Sequence, residues 1–580
     1  MGGISVKRSK LLFAVLAVPL AGGVLAAPAV SARPDLSGAA TEFTVLAAPG
    51  QSVADAERAV RDAGGTVVKS NAAIGLVTAS APANGFSERV SADHAIYGAA
   101  KAQAIGHAPV RDTAPKADVV EKESRQAPAA KKGKPNASAP VGTDPLDEQL
   151  WGLKSVRSDL ARTVQPGDHR VKVGVLDTGV DGTHPDIAPN FDAALSRNFV
   201  RDIPADEAGN EVDGPCEFRG CVDPVNHDDG GHGTHVAGTI GAAANGFGLS
   251  GVAPNVSIVN VRAGQDSGSF FLQPVVDAIT YAGDARLDVI NMSFFVDPWL
   301  YNCQANPADS PERQREQRTI TEAVNRALDY AHGKGVTQVV SLGNQHSDLG
   351  APQPDTVSPN FPVDTNYQRD IDNASCVTLP VEGNHTIGVS AFGPSQAKAD
   401  YSNYGVEQIS VSAPGGYYRD YFGTPWFSTV ENQILSTYPR NVGVAEGMID
   451  ADGNITPDGV EAGVQKATAP DGRVGYYQWL QGTSMASPHA TGVAALIVAQ
   501  YGKPGRGGFG MDPDAVQRVL EGTAAKIACP VPRTVDYLDE GRDASYTATC
   551  TGDTAFNGFY GHGAVDAYAA VTRGKEHLRG

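Results

Sequence analysis

Between residues 171 and 342 short apolar runs alternate with stretches of helical character, and few architectures accept that order. Val171–Leu176 (VKVGVL), Ser257–Val261, Asp288–Met292 and Val336–Leu342 read as buried strands. Helical stretches begin at His232, near Pro274–Ala285 and near Ile320–His332. Strands separated by helices pair in parallel, because each crossover must carry the chain back over a face of the sheet. The chain is therefore expected to hold an α/β domain, a three-layer sandwich with a mostly parallel central sheet. A last helix is expected from Ser484 to Gln500, and no internal repeat occurs.

The 580 residues exceed one ordinary domain, and 41% apolar content supplies a large core. The formal net charge of -19 argues against general nucleic-acid binding, which needs a basic face. Lys7, Arg8 and Lys10 precede an apolar run, Leu11–Leu25, and Ala27-Pro28-Ala29 and Val30-Ser31-Ala32 carry the small-x-small spacing of a cleavage site. That run is short for a span of ~20 residues. Residues 1–32 are expected to be a signal peptide, with the mature protein secreted, extracellular and free of the membrane. Six cysteines, an even count, suit an exported chain with disulfides. Fifteen connectivities are open, and nearest neighbours are expected to pair: Cys216 with Cys221, Cys303 with Cys376, Cys529 with Cys550.

From about Thr41 to Pro109 a small α+β unit is expected. It has strands at Phe43–Leu46, Thr66–Val68 and Ile74–Thr78, and a helix over Ser52–Asp62 with Ser52 as its N-cap. The order suits a ferredoxin-like miniature domain. Residues 110–142, rich in Ala, Pro, Lys and Glu, bury too little to fold and read as a flexible, solvated linker without a partner. The remainder, 143–580, forms the large domain with insertions.

Three segments carry chemistry. VGVLDTGVDGTHPDI ends a buried strand at Asp177, the carboxyl-terminal edge where parallel sheets place their sites. DDGGHGTHVAGTIGAAA sets His232 between glycines, just ahead of a helix of small residues. His235 follows one turn later, but the H-E-x-x-H pattern of a zinc site is absent, so His235 is expected to pack or hydrogen-bond. GTSMASPHATGVAALIVAQ sets Ser484 at the head of a helix, in a field that favours negative charge developing in acyl transfer. The G-x-S-x-G elbow of lipases is not present. Each residue alone has a bland reading as a turn or cap; together they stand in the order Asp, His, Ser.

Those blocks resemble the three signature blocks of subtilisin-like serine proteases, over roughly Pro145 to Ala570. The resemblance implies a serine endopeptidase acting on polypeptides with Asp177, His232 and Ser484 as its triad. It also implies Asn344, in QVVSLGN, as oxyanion donor. It implies that residues 33–109 are an inhibitor-like pro-domain, removed by self-cleavage somewhere between Val110 and Leu146. Substrate is expected to add as a strand between two backbone segments, one with Ser267 and Gly268, the other with Ser293 and Phe294. Where the family carries Leu-Gly-Gly, this chain has Phe294-Phe295-Val296, which would narrow or reshape the primary pocket. No cofactor is implied for catalysis. A structural calcium is expected on Asp186, Asn245 and Gln149. Asp450–Thr456 approaches an EF-hand loop, but Ile455 occupies its glycine position, so a hairpin turn is expected there. Gly246–Gly251 spells G-x-G-x-x-G in the wrong order of helix and strand for dinucleotide binding.

Two rival classes remain at this level: a binding protein that keeps the fold with a closed cleft, and a transferase or esterase using the same triad. The insert near 417–477 and the cysteine-bearing tail have no functional reading.

Overall fold

The computed structural model describes residues 40–101, 120–123, 144–205, 212–361, 365–505 and 508–578. The expected signal peptide and most of the expected linker lie outside them.

The N-terminal unit runs β1 (Ala40–Ala47), α1 (Val53–Asp62), β2 (Thr66–Asn71), β3 (Leu76–Pro82), α2 (Phe86–Ser91) and β4 (Ile96–Lys101). Its antiparallel sheet has the order β2-β3-β1-β4. Ser52 caps α1 in a reciprocal box with Asp55, satisfying donors that a helix start leaves free. α2 and β4, both short, come in addition to the elements expected from the sequence.

The large domain is built on β5 (Lys172–Leu176), β6 (Arg197–Asn198), α3 (His232–Gly241), β7 (Ser257–Arg262), α4 (Leu272–Asp284), β8 (Val289–Met292), α5 (Pro311–Gly333), β9 (Thr337–Ser341), β10 (Thr386–Phe392) and β11 (Val411–Pro414). Among the described residues these strands form one seven-stranded parallel sheet, ordered β11-β10-β9-β8-β5-β7-β6. Strand alternation makes the three layers. Val339 of β9 joins the cluster holding α3, and its neighbour Val340 joins the cluster holding α4 and α5.

The 417–477 insert contributes β12 (Ile434–Tyr438), β13 (Gln465–Thr468) and, running on past it, β14 (Val474–Leu480), an antiparallel sheet ordered β12-β14-β13. Its first strand braces α3: Ser436 Oγ donates to the His235 carbonyl (2.7 Å) and Thr437 Oγ1 to the Thr234 carbonyl (2.7 Å). The chain then enters α6 (Thr483–Tyr501), which is buried on every side from Thr483 to Ala499. The three disulfides pair as expected, Cys216–Cys221, Cys303–Cys376 and Cys529–Cys550. No helix among the described residues is long and apolar enough to cross a membrane.

The N-terminal unit lies on α4 and α5. Lys69 Nζ meets Asp277 (2.7 Å), Asn71 Nδ2 donates to Asp277 and Thr280, Thr78 Oγ1 donates to Gln273 (2.8 Å), and Arg326 Nη1 donates to the Ala47 carbonyl (2.8 Å). One stretch departs from expectation. Val120–Glu123, inside the segment read as a solvated linker, is packed into the large domain, with Glu121 5% and Glu123 7% exposed.

Candidate active site

β5, β8 and β9 run side by side and in parallel, so their carboxyl ends open on one edge. Asp177, Ser293 and Asn344 follow those strands directly or within a few residues. Asp177 is fully buried. Its carbonyl accepts from the Ala263 and Gly264 amides, and its Oδ1 accepts from the Thr178 amide at 2.8 Å. The same oxygen lies 2.7 Å from His232 Nδ1. That approach depends on the glycine after the histidine. A Cβ at Gly233 would lie 2.1 Å from the Gly179 carbonyl and 2.9 Å from Asp177 Cβ, so any side chain would push α3 off the aspartate.

Asp228 fixes the start of α3, accepting from the Gly230, Gly231 and Thr234 amides and from the Thr234 hydroxyl. It stands four residues before His232 in DDGGH, outside the N-cap place that Gly231 takes, so no local cap signal marks it in the sequence. Burial alone would push the His232 imidazole down, but the Asp177 and Glu121 carboxylates outweigh it and hold the pKa well above the usual histidine value. His235 is no metal ligand here. It is buried, its Nε2 faces the Ile434 and Gln478 carbonyls, and burial lowers its pKa to about 3.

Ser484 is the second residue of α6, after Gly482 at φ +153°. Pro488 has no N–H for the Ser484 carbonyl four residues back. Ser293 Oγ supplies the missing donor at 3.2 Å and also meets Ser487 Oγ and Asn291 Nδ2, each at 2.8 Å. Ser484 Oγ faces the Ser293 carbonyl at 3.4 Å. Asn344 accepts at Oδ1 from the Thr483 amide (2.9 Å) and hydroxyl (2.8 Å), which leaves its Nδ2 hydrogens for another acceptor. A Cβ built on Gly482 would sit 3.3 Å from that Nδ2 and 3.1 Å from Glu121 Oε1, so the amide and the carboxylate flank one point. Glu121 Oε1 lies 3.5 Å from His232 Nε2, the nitrogen that points away from Asp177.

The other expected residues are placed as follows. Ser267 and Gly268 form an exposed turn closed by Gln265 and Ser269, with the Ser267 amide donating to Asp213. Phe294 stacks on Phe270 (centroids 4.1 Å, 7° between planes) and is buried. The side chain of Ser293 braces the α6 turn, and its carbonyl faces Ser484 Oγ.

The expected calcium set does not fit a cation. Gln149 turns away and pairs with Gln465. Asp186 accepts from the Leu249 amide, the Tyr477 hydroxyl and the Asn245 amide nitrogen, and burial pushes it up to about 7. Asn245 Oδ1 accepts from the Phe247 amide. Donors fill the place where oxygen lone pairs would have to converge. Asp450–Thr456 forms a hairpin turn, closed by the Asp450 amide on the Asn454 carbonyl and by Asn454 N–H on Asp450 Oδ1.

A family model described as the subtilase family matches residues 168–563. Among curated relatives, subtilisin DY of Bacillus licheniformis is 26% identical over 351 residues, covering 60% of this chain and 85% of the relative. Thermitase of Thermoactinomyces vulgaris is 25% identical over 404 residues, covering 70% and 96%. The solved structure of the epidermin leader peptide processing serine protease of Staphylococcus aureus covers 92% of this chain and 98% of its own at TM-score 0.58 and 20% identity, a likeness of fold.

Proposed function

Because the chain belongs to the subtilase family and is a serine-type endopeptidase, we propose that it cuts polypeptides through Asp177, His232 and Ser484, with Asn344 as oxyanion donor. We further propose that it is exported as a precursor and activated by removal of its N-terminal part. The contact that carries the reading is the 2.7 Å bond between Asp177 Oδ1 and His232 Nδ1 at the strand edge that also holds Asn344 and the head of α6. It fixes the imidazole tautomer with Nδ1 protonated and Nε2 free to take a proton.

Ser484 Oγ attacks the scissile carbonyl while His232 Nε2 accepts its proton. Asp177 stabilises the imidazolium without itself taking the proton. The tetrahedral oxyanion takes the Asn344 Nδ2 hydrogens, and the field of the α6 N-terminus favours the same charge. The imidazolium then protonates the leaving amine, and water repeats the sequence on the acyl-enzyme. A closed-cleft binding protein is disfavoured, because all four positions carry the residues the chemistry needs. Contacts of the N-terminal unit with α4 and α5 support reading it as a pro-domain. The test is hydrolysis of a denatured protein by the secreted product, with a serine-directed covalent inhibitor. Labelling of Ser484 with loss of activity supports the reading; labelling elsewhere or undiminished hydrolysis defeats it.

Asn344→Ala should lower kcat by about 10²–10³-fold with little change in KM, the loss such a donor causes in subtilisin itself. Steady-state kinetics on one peptide amide checks this.

The precursor should also show a distinct pH dependence. A base must be neutral, and the Asp177 and Glu121 carboxylates both favour the imidazolium of His232. Self-processing therefore rises with pH through the raised pKa. Glu121→Gln removes one of those charges, lowers the pKa and moves the rise to lower pH. Rates of conversion to the shorter product, measured across pH for both precursors, decide it; superimposable profiles would remove Glu121 from the account.

A further inference from the structure

Val120-Glu121-Lys122-Glu123 lies against His232, and each of its charged side chains meets an opposite charge. Glu121 faces His232, and Lys122 Nζ meets Glu446 at 2.5 Å. The Glu123 carboxylate takes four donors: Arg419 Nη2 (2.6 Å) and Nε (2.8 Å), Arg542 Nη2 (2.8 Å) and Gln481 Nε2 (2.9 Å). Gln481, three residues before Ser484, also holds the backbone of the segment. Its amide donates to the Glu121 carbonyl (3.2 Å) and its Nε2 to the Val120 carbonyl (3.0 Å).

The donors have supports of their own. Arg419 Nη1 donates to the Glu540 carbonyl. Arg542 pairs with Asp400 and lies 4.8 Å over the Tyr546 ring. Gln481 Oε1 accepts from the Tyr418 amide at 2.6 Å. Once the precursor segment departs, these anchors keep the donors aimed at one place beside the head of α6, with no carboxylate to receive them.

We propose that Arg419, Arg542 and Gln481 form a subsite that selects an acidic side chain in the polypeptide substrate, and that Glu123 fills it in the precursor. The proposal rests on the endopeptidase reading above. A carboxylate accepts from both guanidinium groups at once. A neutral amide of the same shape meets them with an NH₂ group and leaves half-buried donors unpaired, the situation in which sites discriminate most strongly.

Two readouts on the processed enzyme test this. In the first, a fluorescent synthetic peptide of residues 118–125 and its Glu123→Gln version are titrated for binding. In the second, peptides with Glu or Gln scanned through the positions flanking the cut are compared by kcat/KM. The native peptide should bind at least tenfold tighter than the Gln version, and at one scanned position Glu should exceed Gln by at least tenfold. Both ratios should fall toward one in Arg419→Gln. Equal binding of the two peptides by the wild-type enzyme, or a peptide that does not bind, overturns the subsite without reliance on any variant. Failure of the endopeptidase reading looks different: the peptides would still be discriminated in binding, and none would be cut.

Discussion

Replacing Ser484 by alanine is expected to lower kcat on the order of 10⁶-fold, the figure known for a subtilisin triad, and, on the proposed route, to leave the precursor unprocessed. The side chain is small and its backbone role survives. The Ser484 carbonyl still takes Ser293 Oγ, and Thr483 still holds Asn344. The fold therefore stays, and the loss reports the nucleophile alone. Some acceleration over water is expected to persist, because Asn344 and the cleft remain. Two measurements read the result: hydrolysis of a denatured protein, and the mass of the expressed product. A shortened product of normal size from the alanine variant would assign processing to another protease.

Asp177→Asn should cost roughly 10⁴-fold in kcat with the fold intact. The isosteric side chain keeps the backbone bonds to Ala263 and Gly264, and its NH₂, turned to His232, gives up only the Thr178 amide bond that Oδ1 accepts in the wild type. What changes is the proton on His232. An NH₂ group aimed at Nδ1 demands the other tautomer, which places hydrogen on Nε2, where Ser484 must deliver its own. Asp177 is fully buried, so no water stands in for the lost charge. Unchanged thermal unfolding beside the kinetic loss separates tautomer control from a structural role; an activity within tenfold of wild type would remove Asp177 from the mechanism.

Much of this molecule is legible from local chemistry. The strand ends and helix starts that carry Asp177, His232 and Ser484 are contiguous blocks, because each side chain is placed by the few residues around it. Gly233 must be small where α3 meets Asp177, and Pro488 must lack its N–H where Ser293 enters. The period of apolar residues announced the parallel sheet and the helices between its strands. α5 begins at Pro311, earlier than the apolar pattern near Ile320 implies, since its first turns are polar; Ser310 and Pro311 were the signals for that start.

Tertiary structure alone decided the rest. Glu123 meets Arg419 and Arg542 across 296 and 419 residues of chain, from a segment whose composition reads as solvent-loving. Asp186, Asn245 and Gln149 have the oxygen chemistry of a calcium site, yet Gln149 points to Gln465 and N–H donors crowd Asp186. Neither outcome has a period or a motif. A periodic pattern reports which face of an element is buried, and a block reports what its own backbone holds. Charge pairs between distant loops depend on where the whole sheet brings those loops, and that is settled only when the chain has folded.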